Sequence, residues 1–445
     1  DLVKAELQRN CLVCNRYTAC PDDRKSANFA CSKFKENQNF SIEDLFGQLE
    51  TEKRQPTEDE LILDNRMEMD YVSKLDEVLN SGLPVIPDLR YDDRHIPRAK
   101  NVFEWMTKKK FLGLSEIKPY AKQLQLVCHI QGDWCPHCSN EDFFEDFPLH
   151  ATYDDIRENV TFLEHGKCPS CELTKTDFLY GGSNVKVDSY SDPFGTFTVA
   201  GQRSGKSIIV SMGESYTYHK FLMTPAVHKT FGIMSATPLV ATYVALTFAQ
   251  AKTSLWEPIS GFVAASPWFQ GYHKWLDQIG RKNGEELYTF SETMLRYKHK
   301  NLVTMVASPN KRTLRGKTSF TAAIDELGLF PIGKTKQGHE QERADGKEVV
   351  KSLENSMMTL RGAYISKMKQ GYYSIPKPTL SAVSSPFSLN DHIMHQFRLH
   401  QGSKSYYCFK SATWDFNPTM PRELFDAEYR ADPVAAERDF GANPP

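Results

Sequence analysis

The sequence predicts an α/β fold built on a mostly parallel β-sheet, and three observations support this prediction. From about residue 192 onward, short β-branched or apolar runs alternate with helical stretches, which is the pattern of α/β proteins. A glycine-rich loop stands between one such run and a helix. The chain has 445 residues, 40% of them hydrophobic, so it can bury a sizeable core.

The composition excludes several classes of protein. Lys and Arg number 54 against 56 Asp and Glu, a net charge of −2, and 25% of the residues are charged. This profile excludes a wholly disordered or collagen-like chain, and it requires any basic surface to be local. With a mean hydropathy of −0.50 and no apolar run of about 18 residues, we expect no membrane-spanning helix. The first residue is Asp1 and no secretory signal follows it, which indicates processing or an excised piece.

Eight of the ten cysteines fall into two groups of four. The downstream group forms two C-x-x-C knuckles with 29 residues between them, typical of a zinc ribbon in which four thiolates bind one ion. A pair of disulfides or redox C-x-x-C motifs are the alternatives there, although disulfides suit small secreted domains better. The upstream group is less regular, so an iron–sulfur cluster or free thiols stay open. The sequence thus predicts two Zn²⁺ ions, with the ligands Cys11, Cys14, Cys20, Cys31, Cys135, Cys138, Cys168 and Cys171.

A phosphate-binding loop is predicted where a strand meets a helix. The run Thr196–Ala200 is predicted to be a buried strand, and Gly201, Gly205, Lys206 and Ser207 follow before an apolar helix start. Glycines let backbone N–H groups converge on phosphate oxygens, and the helix N-terminus adds positive charge. Lys206 would neutralise the β- and γ-phosphates of a bound nucleotide, and the Ser207 hydroxyl would bind Mg²⁺. An alanine occupies the position of the first glycine in the standard pattern.

A pair of carboxylates is predicted to complete this site. The run Ser319–Ile324 is predicted to be a strand, and it ends in Asp325 and Glu326. Asp325 would hold the Mg²⁺ shell, and Glu326 would orient and deprotonate the attacking water. Adjacent Asp and Glu suit hydrolysis, because a transferase needs no carboxylate to activate water.

A third strand is predicted over Thr379–Val383, and it ends in Ser384 and Ser385. Hydroxyl groups at a strand end, next to the γ-phosphate, could sense hydrolysis and pass the change to a moving domain. We therefore predict a coupling role for these two serines.

With these three motifs in this order, the chain resembles the ATPase domain of the large terminase subunit of tailed bacteriophages, the motor that packs double-stranded DNA into a procapsid. The resemblance covers about residues 100–445 and implies a RecA-like P-loop NTPase core of the additional-strand (ASCE) class. It implies that Gln123 reads adenine, with Gln125 as the fallback. It further implies that Arg203, inside the loop, contacts phosphate and that Arg315 acts as an arginine finger on a neighbouring subunit.

The same resemblance implies partners and location. We expect double-stranded DNA gripped through its phosphates, the portal protein of the procapsid, the small terminase subunit, a ring of identical chains and the host cytoplasm. The segment Gly232–Thr237 resembles the family's strand after the P-loop helix. Family members continue into an RNase H-like nuclease, and this chain stops at Pro445, so we expect no nuclease activity in it.

These expectations divide the chain into six segments. They are a cysteine (zinc) module (1–40), a helical segment and linker (41–100), the adenine-motif start of the ATPase domain (101–130), a zinc-ribbon insertion (131–180), the P-loop ATPase core (181–386) and a lid or exit subdomain (387–445).

Two other functions stay open at this point. A superfamily 2 helicase needs an arginine-rich motif after the Asp-Glu strand, and the similar string Gln278–Arg281 lies before it. A zinc-dependent DNA- or protein-binding module with a vestigial P-loop would show no ATP turnover under any condition.

Overall fold

The computed structural model describes residues 58–80, 95–99, 102–113, 119–131, 193–310, 314–331, 335–336, 342–343, 345–370, 375–403 and 405–445. The eight cysteines of the two predicted zinc modules lie outside these stretches, so both modules stay predictions. Among the residues in these stretches, no three His, Cys, Asp or Glu side chains are grouped so that they could hold a metal ion. None of the helices described there has the length and hydrophobicity to cross a membrane.

The described strands form one large sheet and one small pair. They are β1 (Gly195–Ala200), β2 (Leu239–Val244), β3 (Tyr288–Phe290), β4 (Leu295–Tyr297), β5 (Leu302–Ala307), β6 (Thr318–Asp325), β7 (Thr335–Lys336), β8 (Glu342–Arg343), β9 (Thr379–Ser384) and β10 (Tyr406–Ser411). Eight of them form a sheet in the order β10-β1-β9-β6-β2-β5-β4-β3, whereas β7 pairs with β8. The six strands from β10 to β5 are parallel, and β4 and β3 add antiparallel. The predicted α/β class with a mostly parallel sheet is confirmed.

Helices cover both faces of this sheet. They are α1 (Glu58–Asn80), α2 (Val102–Thr107), α3 (Ala121–Gln131), α4 (Lys206–Leu222), α5 (Val227–Phe231), α6 (Phe248–Ala251), α7 (Glu257–Ala265), α8 (Pro267–Asn283), α9 (Gly346–Lys369), α10 (His392–His400), α11 (Thr413–Phe416), α12 (Asp426–Ala431) and α13 (Pro433–Asp439). All residues of β1, β2, β5 and β9 are buried, and successive side chains point to opposite faces, so both faces must be covered.

Strand β9 lies between β1 and β6, which is the additional-strand arrangement that the resemblance implies. Val199 pairs with Ser384, and Asp325 pairs with Val383. The carboxyl ends of the three strands therefore meet at one edge of the sheet. Parallel order thus brings together three chain segments that are far apart in sequence.

The prediction of a strand at Gly232–Thr237 is wrong. Gly232 has a φ of 68° and ends α5, and the next residues form a turn in which Met234 is 76% exposed. The strand after the P-loop helix is instead β2, which begins at Leu239. Its residues are β-branched or apolar and fully buried, which is what a central parallel strand requires.

Helix α1 packs on the sheet, although it belongs to the segment predicted as helix and linker. The Tyr71 hydroxyl donates to Thr304 O and accepts from Val306 N, each at 3.1 Å. The Tyr71 hydroxyl thus forms hydrogen bonds with two backbone groups of β5 that no neighbouring strand pairs with. Asp64 accepts two backbone N–H bonds at the start of α6. Helix α1 is therefore part of the core that carries the site.

Candidate nucleotide-binding site

The loop between β1 and α4 has the conformation that a phosphate-binding loop needs. Gly205 has a φ of 84°, a left-handed backbone that glycine adopts without strain, and α4 begins at the next residue. Arg203 also has a positive φ of 60°. The first N–H groups of α4 lack intrahelical partners and carry partial positive charge, so this helix start can bind an anion.

Lys206 is 5% exposed and faces the ends of the two neighbouring strands. Its Nζ lies 3.3 Å from Glu326 Oε1 and donates to Ser385 Oγ at 3.1 Å. A buried ammonium needs anionic or polar partners, and here both come from other motifs. The loop lysine, the carboxylate and the serine predicted from separate segments thus meet in one place.

Ser207 and Asp325 form the second contact between the loop and β6. The Ser207 hydroxyl donates to Asp325 Oδ1 at 3.0 Å. Burial raises the pKa of Asp325, and the charge of Glu326 raises it further, whereas Lys206 lowers it. A hydroxyl beside a carboxylate offers the oxygen ligands that Mg²⁺ takes in nucleotide sites, so these two residues fit that ion.

Glu326 follows β6 with a left-handed backbone, φ 52° and ψ 44°. A non-glycine residue pays about 1 kcal/mol or more for this conformation, which is frequent at functional sites. The bend turns the carboxylate towards β9, where Glu326 Oε2 accepts from Ser385 N and from Ser384 Oγ, each at 3.1 Å. The general base predicted from the sequence is therefore buried and held by the third motif.

Ser384 connects the Glu326 carboxylate to Gly328, in the segment that follows Glu326. Its Oγ accepts from Gly328 N at 3.0 Å and can give its one proton to Glu326 Oε2 or, at 2.8 Å, to Ser385 O. A Cβ added to Gly328 would lie 3.0 Å from that Oγ. The two serines are thus bonded to Glu326 and to Lys206, and their coupling role stays a prediction.

The match to a family model agrees with this geometry. Residues 172–441, more than half of the chain, match the model described as "Uncharacterized protein MJ0330, N-terminal P-loop domain". The chain belongs to the family of the MJ0330 N-terminal P-loop domain. The arrangement of Lys206, Ser207 and Asp325 described above is that of a P-loop NTPase. A search among curated proteins finds no match to the chain.

Solved structures of large terminases are similar to this MJ0330-type P-loop domain. The ATPase domain of the Thermus phage P74-26 large terminase is 15% identical, with a TM-score of 0.32 over 57% of this chain and 89% of that one. The HK97 bacteriophage large terminase is 12% identical, with a TM-score of 0.32 over 57% of this chain and 48% of that one. The chain thus spans about half the length of the HK97 protein.

The predicted adenine reader Gln123 lies near the start of α3, at the P-loop edge of the sheet. In this helix, Lys122 is close enough to Asp415 of α11 to lower the pKa of that carboxyl, which burial raises. Gln123 Oε1 accepts from Tyr120 N at 3.1 Å. The fallback, Gln125, donates instead to the hydroxyl of Tyr407 at 2.9 Å. Tyr407 lies near the start of β10, away from the phosphate edge, and adenine recognition by either glutamine stays a prediction.

The two predicted arginines lie in different places. Arg203 is an exposed residue of the P-loop itself, and its carbonyl accepts from Asn417 Nδ2 at 3.5 Å. Arg315 is exposed in the turn before β6. Strand β6 has eight residues, so this turn is about 25 Å from Asp325 at the opposite edge of the sheet. The structure does not bring Arg315 to the site of its own chain, and its action on a neighbour stays a prediction.

A contact from the C-terminal segment, which we call the brace, holds the back of the P-loop, and no sequence motif indicates it. Gln202 N donates to Asp439 O at 2.6 Å, and Thr413 Oγ1 donates to Gln202 O at 2.7 Å. A Cβ on Gly201 would lie 2.2 Å from Thr413 Oγ1 and 2.4 Å from Phe440 O. The brace thus requires glycine at 201, whether or not that residue also contacts ATP.

A buried carboxyl that the motifs did not include lies under the site. Glu214 of α4 is fully buried and accepts from Thr321 Oγ1 of β6 at 2.8 Å and from the Tyr243 hydroxyl of β2 at 3.4 Å. Burial raises its pKa to about 7, against the effect of these hydrogen bonds. The sequence signal that could have revealed Glu214 is a glutamate on the buried face of an apolar helix. Glu214 joins the P-loop helix to the strand that ends in Asp325.

Proposed function

We propose that this chain is an ATP-hydrolysing motor of the large terminase kind, which moves double-stranded viral DNA into a procapsid. One observation carries the proposal. Lys206, Asp325 and Glu326 converge at one edge of the sheet, and the coupling serines bond directly to Lys206 and Glu326. A site that only bound nucleotide would need no base held by a third strand.

The proposed chemistry is phosphoryl transfer to water. The α4 N-terminus and Lys206 would bind the phosphates of ATP, while Ser207 and Asp325 would hold Mg²⁺. When bound, Mg²⁺ supplies positive charge against the β- and γ-phosphate oxygens. Glu326 would accept a proton from water while the water oxygen attacks the γ-phosphorus. The bond to the β–γ bridging oxygen then breaks, and ADP and phosphate leave.

Coupling would follow from the bonds of Ser384 and Ser385. When Glu326 takes a proton, its carboxyl becomes a weaker acceptor for Ser384 Oγ and Ser385 N. Ser384 Oγ also accepts a hydrogen bond from Gly328 N. Protonation of Glu326 would therefore alter both the end of β9 and the segment that follows Glu326. Residues 387–445, predicted as the lid, include the brace on the P-loop and would move with it.

The partners in this proposal come from the resemblance. They are double-stranded DNA, the portal protein on the procapsid, the small terminase subunit and further copies of the chain in a ring. Arg315 is exposed at the edge opposite the site, and in a ring it would have to reach the site of a neighbour. The location would be the host cytoplasm. The two cysteine modules would each hold one Zn²⁺, which metal analysis of the purified chain would count.

The test is ATP turnover by the full chain with Glu326→Gln and, as a matched control, Glu286→Gln at an exposed ion pair with Lys298. We expect Glu326→Gln to bind ATP while its kcat falls at least about a hundredfold. Addition of portal-bearing procapsids and double-stranded DNA should raise wild-type turnover, and salt should weaken DNA binding. No turnover with any of these partners would support the vestigial alternative, and strand separation would support the helicase.

A further inference from the structure

The second residue after the predicted base is enclosed by groups from another part of the chain. Gly328 is buried in the turn Leu327–Leu329. A Cβ on Gly328 would lie 3.0 Å from Ser384 Oγ and 3.1 Å from Ser385 O. It would also lie 3.2 Å from Oδ2 of Asp391, a residue that belongs to none of the predicted motifs. These distances are tighter than ordinary van der Waals contact, so the coupling serines and Asp391 meet at one glycine.

Both carboxylate oxygens of Asp391 accept hydrogen bonds from the backbone. Oδ2 accepts from Phe387 N at 2.6 Å and from Ser388 N at 3.1 Å. Oδ1 accepts from Met394 N at 2.8 Å and caps the start of α10. The carboxylate is buried, and charge-assisted bonds of this kind are roughly twice as strong as neutral ones. The loop after the coupling serines and the start of α10 therefore form one unit, centred on Asp391.

Capping alone does not require an aspartate at this position. Serine and asparagine cap helices about as well, because a cap needs only one side-chain oxygen. Asp391 uses its second oxygen for the loop, and that same oxygen is the one beside Gly328. The contacts of Oδ2 thus join the loop to the segment that follows the base.

Helix α10 packs against elements on both sides of the nucleotide site. It contacts the turn Leu327–Leu329 and also β1, the strand that leads into the P-loop. Packed protein interiors compress little and transmit displacements. A shift at Gly328 therefore reaches Asp391 and α10, and through α10 it reaches the strand before the P-loop.

We propose that Asp391 is a positioning residue of the hydrolysis site and links the segment after Glu326 to α10. When Glu326 takes a proton, its bond to Ser384 changes, Ser384 shifts against Gly328, and Gly328 shifts the unit centred on Asp391. The inference rests on the proposed function, because it assumes that Glu326 is the base of ATP hydrolysis. It names the residue through which a change at the base reaches the predicted lid.

Two substitutions break this link in different ways. Asp391→Asn keeps the size of the side chain and the cap of α10, but its two branches cannot both accept hydrogen bonds. Gly328→Ala adds a methyl group where the contacts leave no room for one. One matched control is Asp432→Asn, at an exposed cap that uses only Oδ1. The other is Gly362→Ala in α9, where a Cβ would meet no atom within 4 Å.

The first measurement separates catalysis from binding. ATP turnover by the full chain is measured under the conditions in which the wild type hydrolyses ATP, together with affinity for a fluorescent ATP analogue. We expect Asp391→Asn and Gly328→Ala each to lower kcat about tenfold and to leave ATP affinity within about twofold of the wild type. Both controls should match the wild type in kcat and in affinity.

The second measurement is hydrogen–deuterium exchange over residues 387–400, which does not depend on turnover. In the wild type, exchange there should differ between the chain with a non-hydrolysable ATP analogue and the chain with ADP. Asp391→Asn and Gly328→Ala should reduce this difference at least about twofold, and the controls should keep it.

The possible failures are distinguishable. Wild-type kcat in either variant, or a wild-type exchange difference in either, would overturn the role of Asp391 and leave the proposed function intact. An equal fall in kcat and in ATP affinity would also overturn it, because the loss would then be one of general structure. A wild-type chain that hydrolyses no ATP with any partner would overturn this inference and the proposed function together. If Asp391→Asn fails to fold, Gly328→Ala and its control give the same decision.

Discussion

Lys206 and Glu326 form a buried ion pair, with Nζ 3.3 Å from Oε1. Both side chains are about 7% exposed, so neither charge is well solvated by water. The partners come from the P-loop and from the residue after β6. The residue that would bind phosphate and the residue that would activate water therefore depend on each other for stability as well as for chemistry.

The positive charge of Lys206 should be needed both for the stability of the fold and for the binding of ATP. Lys206→Met keeps the length of the side chain and leaves Glu326 buried without its cation, which should cost about 3–5 kcal/mol of unfolding free energy. Affinity for ATP should fall at least tenfold, because a charge-assisted bond to phosphate is lost. Urea unfolding and binding of a fluorescent ATP analogue measure the two effects.

A double variant separates these two effects. Lys206→Met with Glu326→Gln removes both charges, so most of the lost stability should return, while ATP affinity should stay low. A double variant as unstable as Lys206→Met alone would show that the ion pair is not the source of the loss.

Ser384 should affect the rate of hydrolysis more than the binding of ATP. Ser384→Ala removes one of the two hydrogen bonds to Glu326 Oε2 and leaves that from Ser385 N. We expect kcat to fall about tenfold, with ATP affinity unchanged, because the hydroxyl that bonds to Lys206 is that of Ser385. Ser385→Thr is the control, since it keeps a hydroxyl at Lys206. An equal fall in affinity and in kcat would argue against the coupling role.

Glu214 should make the stability of the chain depend on pH. Burial raises its folded-state pKa to about 7 from an ordinary 4.5. The folded state therefore binds the proton more tightly, and stability falls as the pH rises from about 4.5 to about 7, by about 3 kcal/mol. Glu214→Gln should remove this fall in urea unfolding followed across that range, and the exposed Glu286→Gln should retain it. The same slope in both variants would assign the pH dependence to other groups.

The strand ends could be predicted from the sequence, and the reason is topological. Thr196–Ala200, Ser319–Ile324 and Thr379–Val383 are runs of small, β-branched or apolar residues, and all three became buried parallel strands. Parallel strands place the residues that follow them at a common edge. Side chains as distant in sequence as Lys206 and Ser385 could therefore be expected to meet.

Contacts from irregular segments could not be predicted in this way. Residues Lys252–Trp256 form a π turn between α6 and α7, and no residue pattern indicates such a turn. The C-terminal brace depends on the backbone groups of Gln202 and Asp439, which every sequence offers. Two residues separate Arg315 from β6, and the length of that strand places Arg315 at the far edge of the sheet. Sequence proximity to a motif is therefore a poor guide to proximity in space.

Helix α1 should stabilise the ATPase core, although it lies outside the residues that match the family model. Asp64 is 4% exposed and accepts both N–H bonds at the start of α6. Asp64→Ala would leave these donors buried and unpaired, at a cost of about 1–3 kcal/mol of unfolding free energy. The control is Asp70→Ala, an exposed position of the same helix. Equal unfolding curves for the two variants would mean that α1 is only attached to the core and does not support it.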